Sequence, residues 1–146
     1  MVNFLDARTS QNISTSNATG IPVTATPALF GTLGLNTTGA GPNLRVQFTA
    51  TVSISSLATI AVPITITIFR GVGPDAVLVY RATELPIALG AVGALNRRII
   101  TVTGSDYQPP NPGFLIYQAF VNTEGGVAVA PTRTGPESFN ASAYSD

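Results

Sequence analysis

Two runs of strict alternation constrain this chain more than anything else in it. Leu44, Val46, Phe48, Ala50, Val52 and Ile54 alternate with Arg45, Gln47, Thr49, Thr51 and Ser53. A few residues on, Ile60, Val62, Ile64, Ile66 and Ile68 alternate with Ala61, Pro63, Thr65 and Thr67. Successive side chains of a strand point to opposite faces, so each run has one apolar and one wet face, and the apolar face needs a second layer to cover it. The stretch from Val46 to Phe69 carries no charge and is long enough to imitate a membrane span. Pro63 and the alternating Thr and Ser make two strands and a turn the better reading. Pro63 has no ladder donor, so it belongs at that strand's start or at an edge.

The rest of the chain repeats the pattern in shorter pieces. Strands are expected over Ala28–Leu35, Ala76–Thr83, Leu95–Thr103, Phe114–Asn122, Val127–Thr132 and Phe139–Tyr144. Gly71-Val72-Gly73-Pro74-Asp75 is a turn, and Gly104 to Gly113, with Pro109, Pro110 and Pro112, reads as a loop stiffened where proline fixes φ. Phe114–Asn122 is apolar on both faces, as expected of a strand central to its sheet. No segment has a helical period. About eight short strands in 146 residues predict an all-β fold, an antiparallel β-sandwich of jelly-roll type.

Composition removes most chemistry. Only 10% of residues are charged, against about 25% in an ordinary soluble domain. Seven arginines balance seven acids, and the chain has no Lys, His, Cys or Trp. There is then no disulfide, thiolate, Schiff-base lysine, Walker lysine or lysine–asparagine cross-link. The commonest general base and metal ligand is missing too. Zero net charge argues against nucleic acid, whose phosphates need a basic surface. Asp6, Asp75, Glu84, Asp106, Glu124, Glu137 and Asp146 each stand alone in sequence, where turn support or solubility explains them better than a glycosidase pair. Asp75 and Asp106 lack the clustered oxygens calcium requires, leaving only a shared site on a symmetry axis open. Gly31-Thr32-Leu33-Gly34 and Gly90-Ala91-Val92-Gly93 open no helix, so they punctuate strands and do not cradle phosphate. The reading is therefore no enzyme, no cofactor and no metal. The Asn-x-Ser/Thr triplets at Asn12, Asn17, Asn36 and Asn140 are what an Asn-, Ser- and Thr-rich chain produces by chance. Arg97 and Arg98 lie on opposite faces of a strand, and an ion pair with Glu84 or Asp106 is within reach.

Residues 1–20 differ from the domain expected over 21–146. Val2, Phe4 and Leu5 form an apolar tip, followed by a polar run from Thr9 to Asn17 that cannot by itself offset its ordering entropy. This reads as a flexible connector arm. Capture by a neighbouring subunit, through strand addition or groove insertion, would bury the tip and pair the backbone. Val2, Phe4, Leu5 and Ile13 are the candidate interface residues. The opening residues have neither a basic n-region nor an apolar h-region, so no secretory signal is expected.

The stretches Ile64-Thr65-Ile66-Thr67-Ile68-Phe69-Arg70-Gly71, Val77-Leu78-Val79-Tyr80-Arg81, Ile99 to Tyr107, Pro112 to Tyr117 and Gly135 to Asp146 resemble the small β-domains on the outer layers of Bacillus-type endospores. The resemblance covers roughly residues 28–146. It implies a jelly roll like that of tumour necrosis factor, usually a homotrimer. It further implies either a tip of a collagen-like exosporium glycoprotein or a subunit of thin F-type endospore appendages, the pili. The chain has no Gly-X-Y stalk, which favours the appendage subunit: trimers stacked head to tail, each arm docked into the next layer. Such a fibre would be non-covalent, made in the mother cell, with itself as chief partner and room for an anchoring protein and a tip protein. The alternative is a discrete trimer that binds carbohydrate or a receptor, with the Gly104–Gly113 loop as its contact.

Overall fold

The computed structural model describes residues 1–57, 62–85, 94–125 and 129–146. Nine strands run in chain order: β1 (Asn3–Ile13), β2 (Ile21–Pro22), β3 (Ala28–Asn36), β4 (Arg45–Leu57), β5 (Ile64–Arg70), β6 (Val77–Glu84), β7 (Leu95–Tyr107), β8 (Phe114–Thr123) and β9 (Thr132–Ser145). One 3-10 turn, Gly73–Asp75, links β5 to β6.

The strands divide into two antiparallel sheets. Sheet I has the order β1-β9-β4-β7, with β2 also paired to β9, and sheet II the order β3-β8-β5-β6. Among the described residues, only β5 and β6 are neighbours both in sequence and in a sheet. Apart from the link between β1 and β2, which both pair with β9, every other connection crosses between the two sheets, and this interleaving is the order of a jelly roll. The alternating runs supply the facing surfaces. Val46, Phe48, Ala50 and Val52 of β4 look across at Ile64, Ile66 and Ile68 of β5, all of them buried. Each fully buried side chain of this size contributes roughly 1.5–3 kcal/mol. Among the described residues, no helix is long and apolar enough to cross a membrane.

Both open sides of the sandwich are closed by polar contacts. On one side, Asp6 Oδ2 accepts the Asn36 backbone N–H at 2.8 Å, and Ser10 Oγ accepts that of Thr32 at 3.2 Å, so β1 satisfies the free edge of β3. On the other, Arg98 of β7 pairs with Glu84 of β6, and the Tyr80 ring meets Phe48 edge-on at 5.6 Å. That approach requires Gly104: a Cβ there would lie 2.7 Å from both rings.

Three expectations from the sequence need adjusting. Residues 3–13 of the expected free arm form a full strand of the chain's own sheet, registered against β9 from Asn3↔Ser145 to Ile13↔Glu137. Its polar run is ordered because β9 and β3 supply the hydrogen-bond partners that the isolated segment lacks. The expected strand Val127–Thr132 is not found as such: Val129–Pro131 lie outside any strand, and β9 begins only at Thr132. β9 runs through Gly135–Pro136, where a register shift on β4 between Val52 and Ile54 takes up the residue without a donor. The beginning of that expected strand, at Val127, lies outside the described residues, as do Ile60 and the Gly90–Gly93 segment. The Gly104–Gly113 loop starts late, since Gly104–Tyr107 continue β7 against β4. Pro63 sits one residue ahead of β5, as its missing donor requires.

Candidate assembly surface

The outward faces of the two sheets differ in chemistry. On sheet II, Leu29 of β3 stands beside Phe120 of β8, Phe120 beside Thr67 of β5, and Phe69 of β5 beside Leu78 of β6. The Phe69 and Phe120 rings meet edge to face at 5.7 Å. Leu29 is 46% and Leu78 40% exposed. A cleft of about 360 Å³ lined by Pro27, Phe69, Pro74, Ala76 and Phe120 lies on this surface. Past the 3-10 turn lies a wider one of about 630 Å³, lined by Val77, Pro110, Pro112, Phe114, Leu115 and Ile116 together with the charged Arg70 and Asp75. Phe114 reaches that position by lying over Gly34, where an added Cβ would collide with its ring. Contiguous apolar surface of this kind marks interaction sites in soluble domains.

Of the ionisable groups near this surface, Arg70 and Asp106 are engaged internally, whereas Arg81 of β6 stands exposed beside Thr67 on the same face and Asp75 is exposed in the turn. Arg70 of β5 donates to Asp106 Oδ2 of β7 at 2.5 Å, and Tyr117 of β8 donates to the same oxygen at 2.9 Å, tying the two sheets together. Burial, with the Asp106 carboxylate next in weight, pushes the Tyr117 phenol well above its ordinary range. Arg133 and Glu137 form a two-pronged pair at 2.6 and 2.7 Å inside the sandwich, and Asn12 of β1 donates to Glu137 at 2.7 Å. The Asn36 backbone N–H, with Arg8 beside it, holds the Asp6 carboxyl below its usual range. The exposed Asp75 lines the wider cleft together with Arg70, while Asp106 is buried. Among the described residues no three metal-ligating side chains come together.

The four residues singled out on the arm do not form one patch. Val2 and Phe4 are 55% and 61% exposed at one end of the sandwich, Phe4 edge-on to Tyr144 at 5.8 Å. Leu5 packs on the core, and Ile13 lies against Gly135, nine strand residues or roughly 30 Å further along. The apolar face of sheet II escaped the sequence reading because its members come from four strands. The available signals were the two-sided apolarity of β8 and the position of Phe69, out of phase with Ile64, Ile66 and Ile68. The pairing of Arg98 with Glu84 had been within reach of sequence, and Asp106 took Arg70 instead of the arginine pair.

The Gly104–Gly113 loop is committed to the fold. Asn111 Oδ1 accepts from the Thr37 hydroxyl at 2.6 Å and from the Gly113 N–H at 2.9 Å, while its amide donates to the Thr37 carbonyl at 3.2 Å. The polar side chain at its tip has little capacity left for a ligand.

Sheet order and layer chemistry define an all-β jelly roll. Solved structures with the same fold include the dimeric latent PorU of Porphyromonas gingivalis. It matches over 99% of this chain with a TM-score of 0.50 and 11% identity, this chain spanning 13% of that one. Eiger TNF from S. frugiperda matches over 96% of this chain and 92% of its own, with a TM-score of 0.46 and 11% identity. The Gx strain of infectious bursal disease virus matches over 95% of this chain and 30% of its own, with a TM-score of 0.34 and 11% identity. At 11% identity the likeness to PorU concerns the fold alone. No family model and no curated protein sequence matches the chain.

Proposed function

We propose that this chain is a structural subunit that assembles with copies of itself into a non-covalent filament. The observation that carries the reading is the apolar outer face of sheet II, from Leu29 through Phe120 and Phe69 to Leu78. In water that face is unfavourable, at about 25 cal/mol per Å² of apolar area, and a second copy is the partner always present at equal concentration. Copies meet there to form the homotrimer that the tumour necrosis factor-like resemblance implies.

Trimers then join through β1. A β1 strand from one copy taken up by β9 of the next would keep every contact that β1 makes in its own chain. The exchanged and closed forms therefore differ only in the connecting residues 14–17 and in what the exposed Val2 and Phe4 touch. Exchange of this kind between non-equivalent surfaces does not close and so propagates. The location we propose is the endospore surface, following the resemblance of residues 28–146, with the protein acting as a building unit without catalysis.

Electron microscopy of negatively stained full-length protein tests this. Thin fibres are expected, and a V2D/F4D variant, which retains the hydrogen bonds of β1, should give discrete oligomers. A Leu29→Asp/Phe120→Asp variant should give monomers. Fibres unchanged in both variants, or monodisperse monomer from the unaltered chain at high concentration, would refute the reading.

A further inference from the structure

The outward face of sheet I has a composition of its own. The pairings align its side chains in rows across four strands. The end row is Phe4, Tyr144, Arg45 and Tyr107. The next is Ala7, Ser142, Gln47 and Ser105, followed by Thr9, Asn140, Thr49 and Thr103, then by Gln11, Ser138, Thr51 and Thr101. Past the end row the grid contains no charge: hydroxyls and carboxamides occupy every position but Ala7. A shallow depression of about 290 Å³ lies where Ala7 and Ser142 leave room, with Arg8 in its lining and walled by the polar residues Thr9, Gln47, Thr49 and Asn140. Among the described residues the side chains of those four polar residues make no hydrogen bond within the chain, whereas Thr51 and Thr101 bond each other at 2.9 Å. Tyr107 is 74% exposed, and it stands two strands, about 10 Å, from Tyr144.

We infer that this face binds a neutral polysaccharide. A glycan without charged groups offers alternating hydroxyls and C–H patches. The hydroxyls need both donors and acceptors, which carboxamides and hydroxyls supply together. The C–H patches favour apolar, rigid aromatic rings such as Tyr107 and Tyr144. A phosphate or a carboxylated polymer would call for several free cations, whereas Arg45 is already 3.3 Å from Asp146, and Arg8, which also lines the depression, is 3.1 Å from Asp6. A protein partner would favour the apolar face of sheet II over this one, since wet hydroxyls must be stripped of water for each bond gained. The inference goes beyond filament assembly and stands apart from it: strand exchange leaves a β1 in the same place on β9, so the grid persists in a fibre.

The test is retention of the full chain on insoluble chitin and cellulose, and affinity electrophoresis in a soluble neutral β-glucan. The unaltered protein should be retained by at least one of these probes, undiminished in 0.5 M sodium chloride. The Gln47→Ala/Asn140→Ala variant and the Tyr107→Ala variant should each weaken retention by about tenfold or more, the equivalent of one to two lost contacts. Thr65→Ala, on the outer face of sheet II, should leave retention unchanged. Far-ultraviolet circular dichroism and electron microscopy of each variant separate a folding or assembly defect from a binding one. Failure of all three polysaccharides to retain the protein would overturn the inference. So would retention lost in salt, or retention equal in the sheet I variants and the parent. None of these outcomes bears on whether fibres form.

Discussion

Replacing Glu137 by Ala should be among the most damaging single changes in this protein. Glu137 is fully buried, and its carboxylate receives two bonds from Arg133, itself 5% exposed at the side chain. Truncation leaves a guanidinium inside the sandwich without a counter-charge, which costs about 3–5 kcal/mol. It also removes the acceptor that holds Asn12, at about 1 kcal/mol, so β1 loosens together with the core. A chain of 146 residues has a total stability of roughly 7–22 kcal/mol. The loss is therefore a large fraction of what is available. With a urea dependence near 2 kcal/mol per M, the unfolding midpoint should fall by about 2 M. The companion variant, Arg133→Met/Glu137→Leu, removes both charges and should recover most of the loss, because a paired replacement leaves nothing uncompensated. Urea titrations monitored by tyrosine fluorescence measure both. A Glu137→Ala cost under 1 kcal/mol, or a double variant whose loss equals the sum of its two singles, would refute the reasoning.

Other outcomes follow from the same structure. The raised pKa of Tyr117 means the folded state favours the neutral phenol. Its stabilising contribution is complete below the unfolded pKa near 10 and is lost as pH rises above it, at up to about 1.4 kcal/mol per pH unit; thermal melts from pH 8 to 11 should show this decline, flattened in Tyr117→Phe. The lowered pKa of Asp6 has the opposite sign: its contribution is present above pH 3.8 and fades as pH falls through the folded value. Amide exchange of β1 should therefore accelerate in acid before that of β4, and Asp6→Asn should remove the difference. Gly104→Ala should destabilise by a few kcal/mol, about 1–3 for overpacking against Phe48 and Tyr80, as read from its melting temperature.

Much of the fold could be read from side-chain alternation, and the reason is physical. A half-buried strand must show period two, so β4, most of β5 and the apolar end of β9 announced themselves, while β8 was legible from its two-sided apolarity. Where burial does not impose that period, sequence was a poorer guide. β1 buries little besides Leu5 and is held by the polar contacts of Asp6, Ser10 and Asn12, whose partners lie 22 to 125 residues away. The central length of β9 contains Arg133, Gly135, Pro136 and Glu137, residues that discourage a strand until their long-range partners are known. The candidate surface had a similar fate. Val2 and Phe4 were visible as an apolar tip in a polar segment. The face formed by Leu29, Phe69, Leu78 and Phe120 exists only once four separate strands stand side by side.

Transfer of β1 between copies is the step that would turn a closed sandwich into a filament, and a chemical cross-link reads it directly. The chain has no cysteine, and Thr9 of β1 lies directly opposite Asn140 of β9. Directly opposed strand residues fall within the Cα separations of about 4.4–6.8 Å that a disulfide accepts. Fibres of a T9C/N140C variant, oxidised and run on a denaturing gel without reductant, should give a ladder of covalent multimers that collapses to monomer on reduction. If β1 stays on its own chain, the same oxidation closes loops within each molecule. A single monomer band, with all thiols consumed, would contradict strand exchange.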